Sequence, residues 1–266
     1  MIQGLRGWAI LYIVKIAGFT EGNDYDRIVA QQKYLFTQIE KLIMLDVANI
    51  LRQLAISAIP ILIAITFHEV SHGVIANRLG DPTAKLMGRL TLNPIVHIDL
   101  AGTIIMPFML LVFTNGQFVF GYAKPVPINP MNFKNPRRDM AVSAAAGPVT
   151  NILLAVASQL ILSLIINPAF ALLPQNIGAA VLTPLSYMLE SSIIINVVLA
   201  VFNMIPVPPL DGGRVIVGLL PHKQALSYSK IEPYGFIIVI ILVVTGIAHK
   251  IIFPFIALLY TFIKLF

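Results

Sequence analysis

Apolar residues in this chain gather into long runs divided by short polar segments. A helix needs about 20 such residues to cross the hydrocarbon core of a bilayer. The first run of that length covers about residues 54–79, and a shorter one covers 100–113. Two more cover about 140–166 and 187–205, and a further apolar region, 210–220, follows a proline-rich break. The last run, 234–266, is too long for one simple span and is interrupted by His249 and Lys250. It predicts one helix plus a bent or interfacial piece. Backbone groups in lipid must bond within their own segment, which makes helices the default. The pattern predicts an all-α, polytopic membrane protein of five or six transmembrane helices.

Two connecting stretches read as non-helical. One is 116–135, with GYAKPVPINP at its centre, and the other is 206–209. Their prolines remove donors and enforce extended backbone. Irregular backbone at membrane depth survives only where it is buried in protein or lines a wet cavity. A short re-entrant or extended segment near an active site is therefore expected. Residues 1–43 have a different character. The apolar stretch 7–14 lies between Arg6 and Lys15 with no small-residue cleavage pattern after it, which gives little support for a signal peptide. Residues 20–43 are charged and read as a surface helix. The expected organisation is an N-terminal extension over 1–43 and a core over 44–266, with Met44 a candidate functional start.

Composition agrees with lipid as the solvent. Of 266 residues, 58% are hydrophobic and 11% charged, with a mean hydropathy of +0.86; soluble chains carry roughly a quarter charged residues. The net charge of +6 does not point to nucleic acid, because the basic residues sit in short segments between apolar runs. Such placement is the ordinary bias of membrane proteins. Arg78, Lys85 and Arg89 follow the first run; Lys124, Lys134, Arg137 and Arg138 follow the second. If the second run crosses the membrane, these groups face opposite sides and the bias gives no orientation. There is no cysteine, so disulfides, thiolate metal sites and cysteine nucleophiles are excluded. Any metal must take histidine and carboxylate ligands.

The strongest local signal is TFHEVSHG, residues 66–73. Residues four apart on a helix share a face, so His68 and His72 project together, with Glu69 beside them to take a proton from a metal-bound water. Catalytic zinc uses three protein ligands and an open position. Ionisable groups inside an apolar helix are costly and functional by default. The third ligand must come from elsewhere, and Asp211, in NMIPVPPLDGGRV, is the best candidate: a carboxylate in an apolar neighbourhood between a proline break and a glycine pair. Asp99 and Asp81 compete, but their polar neighbours suggest solvated side chains.

HEVSH in the first long span, with N-x-x-P-x-P-x-L-D-G-G near a late one, resembles the site-2 protease family of intramembrane metalloproteases. AAAGPVTN, residues 144–151, looks like that family's G-P-x-x-N segment. GYAKPVPINP and NPRRDMAV look like its compact branch, which lacks a PDZ domain. The resemblance covers about residues 46–266, with the motifs in the family's order. It implies one zinc per chain held by His68, His72 and Asp211, with Glu69 as general base and acid. It further implies that Asn151 lies near the site and orients water or substrate. Implied substrates are single-span membrane proteins such as anti-sigma factors, transcription-factor precursors and remnant signal peptides. In a prokaryote the location would be the plasma membrane.

Other readings stay open at this point. A membrane zinc transporter or sensor would use the histidine pair without Glu69 chemistry. A membrane-anchored zinc protease with a water-facing site would need a soluble domain. A structural scaffold would bind no metal. His97, in NPIVHIDLAGT, is either a neighbour of the site or a helix-boundary residue. Asn203 is expected to bond carbonyls freed by the proline break, Gly212 and Gly213 to allow a tight turn, and His222 and His249 to lie in solvent or at the interface. GYAKPVP is a candidate for docking substrate as an added strand.

Overall fold

The computed structural model describes residues 23–113 and 121–266, with side-chain surroundings from 51 onward except at 111–112, 243–244 and 248–249. The apolar stretch 7–14, the segment 116–120 and the side chain of His249 lie outside the described residues. The chain divides into two compact units, residues 1–55 and 56–266. Helix α1 (Asn23–Arg78) begins in the first, so the surface helix expected over 20–43 is the start of a longer element.

The second unit follows with α2 (Met106–Phe113), α3 (Pro136–Ile161) and α4 (Thr183–Asn203). After them come α5 (Asp211–Leu219), α6 (His222–Ser229), α7 (Glu232–Val244) and α8 (Ile247–Ile263). Among the described residues there is no strand.

Among the described residues, three stretches are long and apolar enough to cross a membrane: Leu51–Arg78, Pro136–Leu172 and Gln175–Asn203. A pair bent by 65°, His222–Ser229 with Glu232–Leu242, adds a fourth if it forms one span. The described residues thus form an all-helical membrane protein with three or four such helices, fewer than the five or six that the apolar runs predict. The reason is length. The apolar helices Leu100–Leu110 and Lys250–Ile263 rise only about 17 and 21 Å at 1.5 Å per residue, short of the roughly 30 Å hydrocarbon core. The region 210–220 yields the nine-residue α5. The last run breaks at Gly246, whose φ of +73° favours glycine, rather than at His249 and Lys250.

Polar side chains fix how the long helices lie. Ser143 Oγ donates to His72 O at 2.9 Å and Asn151 Nδ2 to Ala64 O at 3.3 Å, which sets α3 antiparallel to α1. Ser158 Oγ and Ser192 Oγ lie 2.8 Å apart, and Asn151 Nδ2 donates to Asn196 Oδ1 at 2.8 Å, so α4 is antiparallel to α3. In hydrocarbon such bonds between helices are worth about 0.6 kcal/mol on average and serve mainly to fix register. Apolar contact fills the rest: Ala155, Leu162, Ile193, Val197 and Ile263 form the core where α3, α4 and α8 meet. Large apolar side chains also point outward, such as Leu153 at 62% and Leu164 at 68% exposure, as expected of a surface solvated by lipid.

Candidate metal centre and peptidase site

Histidines 68 and 72 lie on one face of α1 with ring centroids 4.6 Å apart and planes at 88°. Each ring is held from behind. His68 Nδ1 is 2.6 Å from Asn151 Oδ1, and His72 Nδ1 is 2.8 Å from the Ser143 carbonyl. Both partners are placed as acceptors, so in the neutral rings each Nδ1 donates and each Nε2 presents its lone pair. The two Nε2 atoms are 3.1 Å apart. Asp211 Oδ2 lies 3.2 Å from the first and 3.4 Å from the second, yet this buried oxygen makes no hydrogen bond. The Asp211 oxygen thus lies close to both nitrogens without hydrogen-bond geometry, and the three atoms face one point.

Asp211 reaches that point from the proline break. The chain after Asn203 turns through residues 204–210, with a cis bond at Pro208–Pro209, and α5 starts at Asp211 itself. The flanking Leu210 leaves the helix end without a side-chain cap. Asp211 itself stands at the first helical position, and its buried Oδ2 makes no hydrogen bond. A Cβ at Gly212 would overlap Met204 O, and one at Gly213 would overlap Pro208 N, so the glycine pair is what lets α5 start against the break.

On the opposite side, α3 approaches the imidazoles through Gly147. A Cβ there would lie 2.5 Å from both His68 Cε1 and His72 Nε2. The triad His68, His72 and Asp211 is buried, and one nitrogen or oxygen from each residue lies within 4.8 Å of the others. Its edges of 3.1, 3.2 and 3.4 Å match the separation of about 3.3 Å between ligands of a tetrahedral zinc with bonds near 2.0 Å. The residues fit a zinc ion.

Glu69 reaches the irregular segment, where its Oε2 accepts from Val126 N at 2.8 Å. Backbone amides of alternate residues in that segment turn inward: Tyr122 N to Gly102 O at 3.0 Å, Lys124 N to His97 O at 2.9 Å, and Val126 N to Glu69. Pro125 and Pro127 fall on the other side, and proline has no N–H. Arg89, buried, fixes this register by donating to the carbonyls of Val96 (2.7 Å), Lys124 (2.8 Å) and Pro125 (3.3 Å).

Asp81 fixes the far end through Asn129 N at 2.7 Å and Asn132 Nδ2 at 2.7 Å. Burial raises the Asp81 pKa, but the bonds from the Thr83 and Asn132 side chains and from the Asn129 and Thr83 amides outweigh it and leave the carboxyl below its ordinary 3.8. Asp81 is fully buried rather than solvated as its neighbours suggested. Asp99 caps a helical turn through Gly102 N.

His97 stands apart from the triad. It is buried, its Nε2 bonds Thr91 O at 2.9 Å, and its Nδ1 has no partner. Asn203 bonds Leu199 O within its own helix at 3.0 Å, and His222 is exposed. Sequence reasoning missed Asn196, Arg89, Ser143 and Gly147. Asn196 carried a signal, as a polar residue inside an apolar run, and Gly147 stood in the G-P-x-x-N segment without a role assigned to it; the other two became visible only through their contacts.

Residues 56–246 match the peptidase family M50. The chain belongs to this family. Over 196 residues this M50 member is 38% identical to YwhC of Bacillus subtilis, covering 74% of this chain and 83% of that protein. Over 189 residues it is 25% identical to Rip2 of Mycolicibacterium smegmatis, covering 71% and 66%. Both relatives carry zinc metalloprotease as a provisional name. No solved structure matches the chain. The M50 chain is accordingly an intramembrane zinc metalloprotease, as the resemblance implied.

Proposed function

We propose that His68, His72 and Asp211 hold the zinc of this protease, that Glu69 is its general base and acid, and that its substrates are single-span membrane proteins. The observation that carries the reading is the convergence of three buried lone-pair atoms at zinc-site spacing, one of them a carboxylate oxygen without a hydrogen bond. Zinc bound there would lower the pKa of a water to about 7 and polarise the scissile carbonyl.

Glu69, one residue from His68, takes the proton of the attacking water and passes it to the departing amine. Val126 N–H holds the Glu69 carboxylate between turnovers. A cleft of about 620 Å³, walled by Pro125, Val126, Met140, Pro208 and Val217, lies between this segment and α5 and suits an unwound stretch of substrate. A substrate docking as an added strand would meet an edge that offers carbonyls, because Pro125 and Pro127 occupy it. The bacterial relatives support a location in the plasma membrane.

The test is metal analysis beside cleavage of a model transmembrane peptide. The purified protein is expected to hold about one zinc per chain and to lose it when His68 and His72 both become Ala. Glu69→Gln is expected to keep zinc and lose about 10²–10⁴-fold in rate. Unchanged zinc in the double variant would sink the ligand assignment. Normal zinc movement across membranes by Glu69→Gln would favour a transporter. Capture of membrane proteins by Glu69→Ala, read by proteomics, identifies the substrates.

A further inference from the structure

Asn196 lies in the middle of α4 and is fully buried, as is Asn151 on α3. Its Nδ2 donates to the Ser192 carbonyl at 2.9 Å and to Ser192 Oγ at 3.2 Å. A peptide carbonyl is an acceptor only, so the amide nitrogen of Asn196 must face it and the amide oxygen must face away. That oxygen accepts from Asn151 Nδ2 at 2.8 Å. Asn151 is thereby turned so that its own oxygen meets His68 Nδ1 at 2.6 Å. The Ala64 carbonyl supports the same orientation from 3.3 Å, a longer bond. Polarity thus passes from one fixed helix carbonyl, through two amides, to an imidazole.

We propose that Asn196 is a positioning residue of the metal site: acting through Asn151, it keeps the His68 proton on Nδ1 and leaves Nε2 bare toward Asp211. The proposal rests on His68 being a zinc ligand. A reversed Asn151 amide would point N–H at His68 Nδ1, move the ring proton to Nε2 and set it against the metal position. Groups behind a metal-bound histidine typically change affinity 10–100-fold when removed. Asn196 stands one residue further back, and the lower end, about tenfold, is the expected effect.

The tautomer is measured on zinc-free protein with ¹⁵N-labelled histidine by solid-state NMR, and zinc affinity by competition with a chelator. Wild type is expected to show His68 protonated at Nδ1. Asn196→Leu, similar in size and apolar, is expected to show a tautomer mixture and about tenfold weaker zinc binding. Asn196→Asp, whose neutral carboxyl accepts from Asn151 and donates to Ser192 O, is expected to keep both. On an Asn151→Ala background, Asn196→Leu is expected to weaken zinc no further.

A wild-type His68 bare at Nδ1 overturns the proposal without any variant, so poor folding of Asn196→Leu does not shield it. Wild-type tautomer and affinity in a folded Asn196→Leu protein overturn it too. Because the tautomer is read without metal, a protein that binds no zinc at all would refute the ligand assignment while leaving this inference to its own result.

Discussion

Asp211 separates two explanations of one carboxylate. Asp at the start of a helix is common because it caps, and Asn caps about as well. In this protein the Asp211 side chain makes no cap bond and faces two bare imidazole nitrogens. Asp211→Asn is therefore expected to leave helix α5 and thermal stability nearly unchanged. Zinc content should fall at least tenfold and peptide cleavage should become undetectable, because a neutral amide is a poor zinc donor and no longer offsets the ion's charge in a dry site. Metal analysis and cleavage of a model transmembrane peptide are the two readouts. Full zinc with full activity would place the third ligand elsewhere, with the buried and half-satisfied His97 the next residue to change.

At the scale of elements, the irregular segment 121–129 is held as firmly as a helix, but by side chains. Arg89 gathers three carbonyls and Asp81 takes two donors at the far end, so Val126 N–H arrives at Glu69 in a fixed register. Arg89→Met keeps much of the apolar stem and strands those carbonyls. It is expected to lower kcat/KM by about ten- to a hundredfold, in line with losses of 10²-fold for misplacements of about 1 Å. Zinc content should stay unchanged, because no triad residue bonds Arg89. Arg89→Lys is expected to recover little, since one ammonium cannot reproduce the planar fork. A zinc loss that tracks the rate loss would mean that the segment supports the metal site itself.

For the whole molecule, the bond network bears on a question the charges left open. Arg89, after the first span, bonds backbone at 124 and 125, and Asp81 bonds Asn129 and Asn132. Both basic segments are therefore expected on one side of the membrane, with the apolar region at 100–113 dipping without crossing. The chain has no cysteine, which makes a direct check available. Met87 and Met131 are 63% and 85% exposed; Met87→Cys and Met131→Cys are expected to react with an impermeant maleimide from the same side of sealed vesicles. Labelling from opposite sides would show that the short helix crosses after all. A second expectation concerns residues 1–43, which precede the family match at 56 and the unit boundary at 55. Deleting them leaves the span Leu51–Arg78 entire, and zinc content and cleavage rate are expected to stay within about twofold, the size of an ordinary context effect. Normal insertion without cleavage would assign that extension a role.

Several features were legible in the residues alone because they depend on local spacing and solvent. The all-helical class follows from apolar runs and the demand of lipid for satisfied backbone. The pairing of His68 with His72, and Glu69 beside them, follows from the helical repeat. Asp211 was the carboxylate least able to find water along the chain. Other features needed the tertiary structure. Helix length at the ends of apolar runs, and hence the number of spans, depends on where glycine and proline stop the backbone. Asn196, Ser143 and Gly147 meet their partners across 45 to 79 residues of chain, and local spacing cannot pair residues that far apart. Which amide faces which imidazole is set by one helix carbonyl on α4, and only packing brings that carbonyl to the metal site.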